Sequence, residues 1–176
     1  MNEHQFRERI IPLSKKLFSL CFKVLGNKED AKDCMQDVFV KLWKNRSSLD
    51  DKRNLEAFTY SVARNACLDK IRLRKDQVDI NFIHGVVDSN TNNHELVELK
   101  LELISKVLYK LNETQQKVFV MREIERNPMV TIASELKISE ENVRVTLSRV
   151  RKKIKELVEK EFTYKLINNE DFRKEY

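Results

Sequence analysis

In the stretch LKISEENVRVTLSRVRKK, Leu136 to Lys153, the residues Glu141, Asn142, Arg144, Val145, Ser148, Arg149 and Lys152 have the types and spacing to read a nucleic acid. Val143, Leu147, Val150 and Ile154 recur at helical intervals and predict an inward face, which leaves those residues on the opposite one. Arginine can pair bidentately with guanine, asparagine with adenine, glutamate can accept from a cytosine amino group, and an exposed valine can touch a thymine methyl. The neighbouring Arg149, Arg151, Lys152, Lys153 and Lys155 suit phosphates, which fix register without reading sequence. Ser139 is the expected N-cap, and Glu140 and Glu141 suit the positive end of the helix dipole, although acids also repel phosphate. Any surface helix in a chain that is 35 % charged presents similar side chains, so a merely solvated helix stays open at this point.

Two further clusters carry chemistry. RNACLDKIRLRK sets Arg64, Lys70, Arg72, Arg74 and Lys75 against the single acid Asp69, with Asn65 among them. Cations at a helix C-terminus gain about 0.3–1 kcal/mol each from the dipole. Five cations in twelve residues exceed what capping needs. With Phe58 and Tyr60 one to two turns earlier they point to a surface on which bases stack or insert, Phe58 itself being expected in the core. In DAKDCMQDVFVKLWKNR the apolar stripe Ala31, Cys34, Met35, Val38, Phe39, Leu42 and Trp43 leaves Asp30, Asp33, Gln36, Asp37 and Lys41 off it. That acidic face is either simply solvated or built to dock on a basic protein surface.

Other chemistries find little support. Cys21, Cys34 and Cys67 lie far apart and form no C-x-x-C pair, so they are expected to be reduced, packed thiols and neither a disulfide framework nor a zinc site. His4, His84 and His94 are scattered, and no metal or other cofactor is expected. No Gly-rich phosphate loop and no nucleophile beside a base argues for an enzyme or a small-molecule substrate. The N-terminus MNEHQFRERI is charged, and no apolar run approaches the ~20 residues of a membrane span, so neither export nor membrane insertion is expected and the location is read as cytoplasmic. The net charge of +6 and pI near 9.2 fit a polyanionic partner.

The elements that must position these clusters are helical. Two glycines and two prolines in 176 residues leave almost none of the punctuation that hairpins need, and the fold class predicted is all-α. Apolar residues from Phe6 to Leu25 mark one helix, which Pro12 bends or delays. Gly26-Asn27 ends it and caps a second, and SSLDDKRN leads to a third over about Leu55 to Arg74, expected to bury Leu55, Phe58, Val62 and Ala66. Asp76 to Glu95 is polar and non-periodic and is expected to be a flexible linker. Periodicity returns at Leu96, Leu99, Leu103, Val107 and Leu111, then after Asn112 at Val118, Phe119, Met121 and Ile124. After RNP, a short helix with Ile132, Ala133 and Leu136, a tight turn, and the Ser139 helix complete a helix-turn-helix. The expected organisation is therefore two small helical domains, 1–75 and 96–160, a linker over 76–95, and a tail over 161–176.

On these residues the chain resembles the sigma-70 family. EDAKDCMQDVFVKLWKNR looks like the region 2 helix that binds core polymerase, LEAFTYSVARNACLDKIRLRK resembles the minus-10 helix of the extracytoplasmic-function (ECF) group, and LNETQQKVFVMREIERNPMVTIASELKISEENVRVTLSRVRKKIKEL is similar to region 4. The resemblance runs from about Glu29 to Leu157. It implies that the first domain is the region 2 bundle and the second the region 4 helix-turn-helix. It also implies that Asp30, Asp33, Gln36, Asp37, Phe39 and Trp43 face the core RNA polymerase at its clamp, with region 4 meeting the flap. Residues 46–54 would receive a flipped minus-10 base, Arg64, Asn65, Lys70, Arg72 and Arg74 would lie beside the melted strand, and the Ser139 helix would read the minus-35 element. Promoter DNA and an anti-sigma factor are the further partners it implies. The chain departs from the family pattern at Phe58, where a tryptophan is usual, at R-N-P-M-V-T-I-A in place of G-x-S-Y-E-E-I-A, and at Lys137 in place of the turn glycine. The family's additional first helix and its region 1.1 and region 3 domains lie outside the resemblance.

Two other readings are compared with an alternative sigma factor. A dimeric helix-turn-helix regulator would leave the acidic face and the Arg64–Lys75 cluster without a role, and a sigma-like decoy that titrates an anti-sigma factor would not need the basic run from Arg144 to Lys155.

Overall fold

The computed structural model describes residues 1–49, 54–75, 101 and 104–168, with the side chains of 74, 75, 158 and 160–168 left out. The expected linker 76–95, and Leu96, Leu99 and Leu103, lie outside the described residues. All described regular elements are helical, in two compact units, Met1–Lys110 and Leu111–Tyr176.

The first unit begins with α1 (Glu3–Arg9), whose Asn2 cap and Gln5 form a reciprocal capping box. Sequence periodicity merges this helix with the next, but Pro12 sits in a 3-10 turn, Ile11–Leu13, that separates α1 from α2 (Ser14–Leu25). Proline offers no N–H to a continuing helix, so the chain restarts there. Gly26, at φ 73°, closes α2 in the left-handed region, and the Asn27 side chain accepts from the N–H of Glu29 and Asp30 at 2.9 and 3.1 Å to start α3 (Lys28–Lys44). Such a cap contributes about 1 kcal/mol. A 3-10 turn, Arg46–Leu49, buries Leu49, and Asn54 accepts from the Ala57 N–H at the head of α4 (Leu55–Lys75).

Helices α2, α3 and α4 pack on one another around Leu17, Leu20, Val24, Val38, Leu42, Ala63, Leu68 and Ile71. On α4 the buried stripe is not the one expected: Phe58, Val62 and Ala66 are half-buried, whereas Leu55, Thr59, Ala63, Cys67 and Ile71 are buried. Thr59 can go inside because its hydroxyl donates to the Leu55 carbonyl at 2.8 Å, and small Ala63 and Cys67 allow α4 close to its neighbours.

A helix, α5, of which residues 104–109 are described, is followed by Asn112, which forms a capping box with Gln115 at the start of α6 (Glu113–Phe119). That helix widens into a π-turn, Val120–Ile124, in which the Glu125 N–H reaches the Val120 carbonyl at 3.0 Å. Then come α7 (Met129–Leu136) and α8 (Glu140–Asn168). Val118, Met121, Ile132, Ala133, Val143 and Leu147 form the core of the second unit, with Met129, Leu136 and Ile138 against it. The predicted inward residues of α8 hold: Val143, Leu147 and Val150 are buried, and Ile154 and Leu157 are half-buried.

Candidate functional site

The acidic face lies along α3. Asp33, Gln36 and Asp37 are exposed and Asp30 is half-buried at the first turn. Val40, 52 % exposed, sits among them at helical spacing from Asp33, Gln36 and Asp37. The apolar–polar division of the sequence passed it over. Its signal is an apolar residue off the buried stripe of Ala31, Cys34, Val38 and Leu42. Phe39 is half-buried further round the helix. Trp43 keeps 37 % of its surface exposed while its ring meets Phe6 edge-on at 5.1 Å, with the Arg46 guanidinium 4.3 Å above its centroid. Arg46 also donates to the Trp43 carbonyl at 3.0 Å. This cation–π contact, worth about 0.5–1 kcal/mol at an exposed site, ties the 3-10 turn to the tryptophan. Residues 50–53 of the expected base-receiving loop lie outside the described residues.

At the basic end of α4 several side chains have partners within the unit. Arg64 is 2 % exposed and its Nη2 donates to Ser61 Oγ at 3.3 Å, so it is a buried side chain and not the surface cation that was expected. The physical reason is register: it follows Ala63 on the side of α4 that faces the bundle. Asn65 is half-buried. Lys70 Nζ lies 3.1 Å from Asp37 Oδ2, so a residue expected to face DNA and one expected to face a protein partner hold each other. Burial works against the Lys70 charge, but the hydrogen bond and charge of Asp37 outweigh it and raise the ammonium above its ordinary value. Arg72 pairs with Asp69 one turn away. Arg74 belongs to the helix, and its side chain lies outside the described residues. Leu73, 67 % exposed, adds an apolar group beside these charges.

On α8, Ser139 Oγ accepts from the Asn142 N–H at 3.1 Å, the cap that the sequence predicts. Glu141, Asn142, Arg144, Ser148, Arg149 and Lys152 are exposed, and Val145 is half-buried. Arg144 lies 3.9 Å from Glu140 and 3.6 Å from Glu141, so the acids of the first turn shadow its charge. Arg151, expected near phosphates, instead reaches Glu123 of the π-turn at 2.7 Å and braces α8. The turn between α7 and α8 is made by Lys137 in the left-handed region, φ 55° and ψ 44°. Arg126 does the same before α7, at φ 61°. Both are positions where the family pattern has glycine, and a residue with a Cβ costs about 1–2 kcal/mol there. The Arg122 guanidinium donates to the Asn127 carbonyl at 2.9 Å and Asn127 donates to Glu125 at 2.9 Å, which holds the Arg126 turn closed.

The cysteines are free and buried, the reduced, packed thiols that the sequence leads one to expect. Far apart along the chain, Cys21 of α2, Cys34 of α3 and Cys67 of α4 converge in the core. Hydrogen bonding with Cys21 and then with Cys67 holds the Cys34 thiol below the usual range, the contact with Cys34 together with burial pushes Cys21 up, and the contacts with Cys21 and Cys34 together with burial push Cys67 up.

The family described as Sigma-70 region 2 matches residues 12–77 and that described as Sigma-70, region 4 matches residues 101–154. The chain is 25 % identical over 152 residues to the ECF RNA polymerase sigma factor SigW of Bacillus subtilis, an alignment covering 80 % of this chain and 81 % of that one. It is likewise 25 % identical over 146 residues to the RNA polymerase sigma factor YlaC of the same organism, covering 80 % and 84 %. The fold is similar to that of CnrH, solved in complex with the cytosolic domain of CnrY, with a TM-score of 0.59, 20 % identity and 90 % of each chain covered. It is also similar to the sigma factor RpoE in complex with the anti-sigma factor NepR from Bartonella quintana, with a TM-score of 0.58, 19 % identity and 88 % and 96 % covered.

Proposed function

The chain belongs to the sigma-70 family, in its extracytoplasmic-function group, and from that premise we propose that it is an alternative sigma factor that binds core RNA polymerase, directs it to particular promoters and helps to initiate transcription. The observation that carries this reading is the order of the two modules: region 2 with an exposed acidic face on α3, then region 4 with an exposed polar and basic face on α8. In this reading Asp30, Asp33, Gln36, Asp37 and Trp43, joined by Val40, meet the polymerase clamp, and region 4 meets the flap. The basic end of α4, through Asn65, Lys70, Arg72 and Arg74, lies beside the melted minus-10 strand. Arg64 supports that surface from inside. On α8, Glu141, Asn142, Arg144, Val145 and Ser148 meet minus-35 bases while Arg149 and Lys152 steady the backbone.

The mechanism is binding alone, without catalysis or a cofactor. Capture of flipped bases offsets an unstacking cost of a few kcal/mol. Two weak modules on one chain give one useful affinity when the promoter elements are correctly spaced. Among the described residues no helix is long and apolar enough to cross a membrane, which supports a cytoplasmic role beside the polymerase. An anti-sigma factor as a further partner is supported by the complex of RpoE with NepR, whose sigma chain shares this fold.

The test is reconstitution. Mixed with core RNA polymerase, the protein is expected to co-elute with it and to yield promoter-specific transcripts. Elution apart from core enzyme overturns the reading.

A further inference from the structure

Three cysteines are all that the 176 residues contain, and each of the three packed helices of the first unit supplies one. Their sulfurs lie within 4.8 Å of one another, with Cys34 and Cys67 at 3.5 Å, and all three residues are 0 % exposed. Three sulfurs bonded to one atom at about the 2.3 Å of a zinc–thiolate bond stand roughly 3.5–4 Å apart. The trio therefore needs to contract by no more than about 0.8–1.3 Å to share a ligand atom.

We propose that Cys21, Cys34 and Cys67 form a binding site for a soft trivalent metalloid, with arsenite as the probe of that class.

Charge and ligand number select the class. Thiolates favour soft ions. The cluster comprises the three cysteines alone, so among the described residues no histidine or carboxylate completes the four-ligand set of a structural zinc site. A monovalent ion on three thiolates leaves two net negative charges and a divalent ion leaves one, in a place shut off from water where unpaired charge is costly. A trivalent centre leaves none. A disulfide would join two of the sulfurs, strand the third and require an oxidant.

The chemistry balances without a redox step. Each S–H gives its proton to one hydroxyl of As(OH)₃, an As–S bond replaces an As–O bond, and three waters leave. Arsenic stays trivalent. The product ties α2, α3 and α4 through a single atom. Entry is through openings of the helix packing, so loading is slow for the folded chain and complete when the chain refolds in arsenite.

The experiment uses the reduced full-length protein with arsenite alone. Native mass spectrometry is expected to show one arsenic per chain with three hydrogens lost, and the count of titratable thiols to fall from three to none, with a raised melting temperature for the first unit. The Cys34→Ala variant is expected to lose the adduct at arsenite concentrations that saturate the parent. The thiol count of the parent stands even where that variant fails to fold. Thiols that stay fully titratable overturn the site, as does an adduct that consumes only two, or Zn²⁺ or Cu⁺ displacing arsenite at equal concentration.

Discussion

On the α3–α4 surface the charged groups meet each other, Asp37 with Lys70 and Asp69 with Arg72, and Arg64 is withdrawn inside. On α8, Ser148, Arg149 and Lys152 stand exposed, while Arg144 is tempered by the acids of the first turn, Arg151 by Glu123 and Lys155 by Glu159. The contrast teaches that the two surfaces bind by different exchanges. A surface whose ions are already partnered gains only the difference between old and new partners, whereas exposed cations on phosphate gain from counterion release. Salt should therefore weaken DNA binding through α8 steeply and docking through α3 mildly.

The largest expected effect comes from breaking the partnered surface. Asp37→Arg should cost at least about 2 kcal/mol of core polymerase binding, seen as loss of co-elution, while the fold survives because Asp37 is 68 % exposed. The paired exchange Asp37→Lys with Lys70→Asp sharpens this. It rebuilds the internal pair with its charges reversed, so co-elution stays lost if Asp37 itself docks, and recovery would show that only the pair mattered.

Next in size is Arg149→Ala, measured by titration of minus-35 duplexes at several salt concentrations. A base contact predicts a loss of about 1–3 kcal/mol that depends on sequence, whereas a phosphate contact predicts a nearly uniform loss and a salt slope smaller by about one. Arg151→Ala is its counterpart. Because that side chain is engaged with Glu123, the change should leave sequence preference alone and lower stability by roughly 0.2–1 kcal/mol, as exposed ion pairs do.

The smallest effect is a gain. Lys137→Gly relieves a left-handed Cβ but adds chain entropy to the unfolded state, so melting of the second unit should shift upward by the equivalent of roughly 0.5–1 kcal/mol. An unchanged or lower melting temperature would show that the lysine suits its turn.

How much of this was legible in the sequence depended on distance along the chain. The Asn27, Asn112 and Ser139 caps, the Gly26 stop and the inward face of α8 are local patterns, and the structure follows each of them. The break at Pro12 was visible as an ambiguity that a 3-10 turn resolves. What was not legible arose where one helix meets another. Arg64 looked like one more cation of a basic run until the register of α4 turned it inward, and nothing in α3 alone announced that Asp37 reaches Lys70. The cysteines, spaced too widely for any local motif, meet because α2, α3 and α4 cross there.

The π-turn at Val120–Ile124 holds one residue more than an α-helix of the same rise would need. Arg122 and Glu123 both lie in this turn and both reach out of it, one to Asn127 and the other to Arg151. Removing a single residue here would restore ordinary pitch and turn the following side chains by about 100°. Both attachments would be lost at once, while the caps and apolar pattern of α6 stayed intact. In this unit a change of chain length by one is a more disruptive event than most changes of residue, and relatives that differ there by an insertion or deletion should carry a different brace for α8.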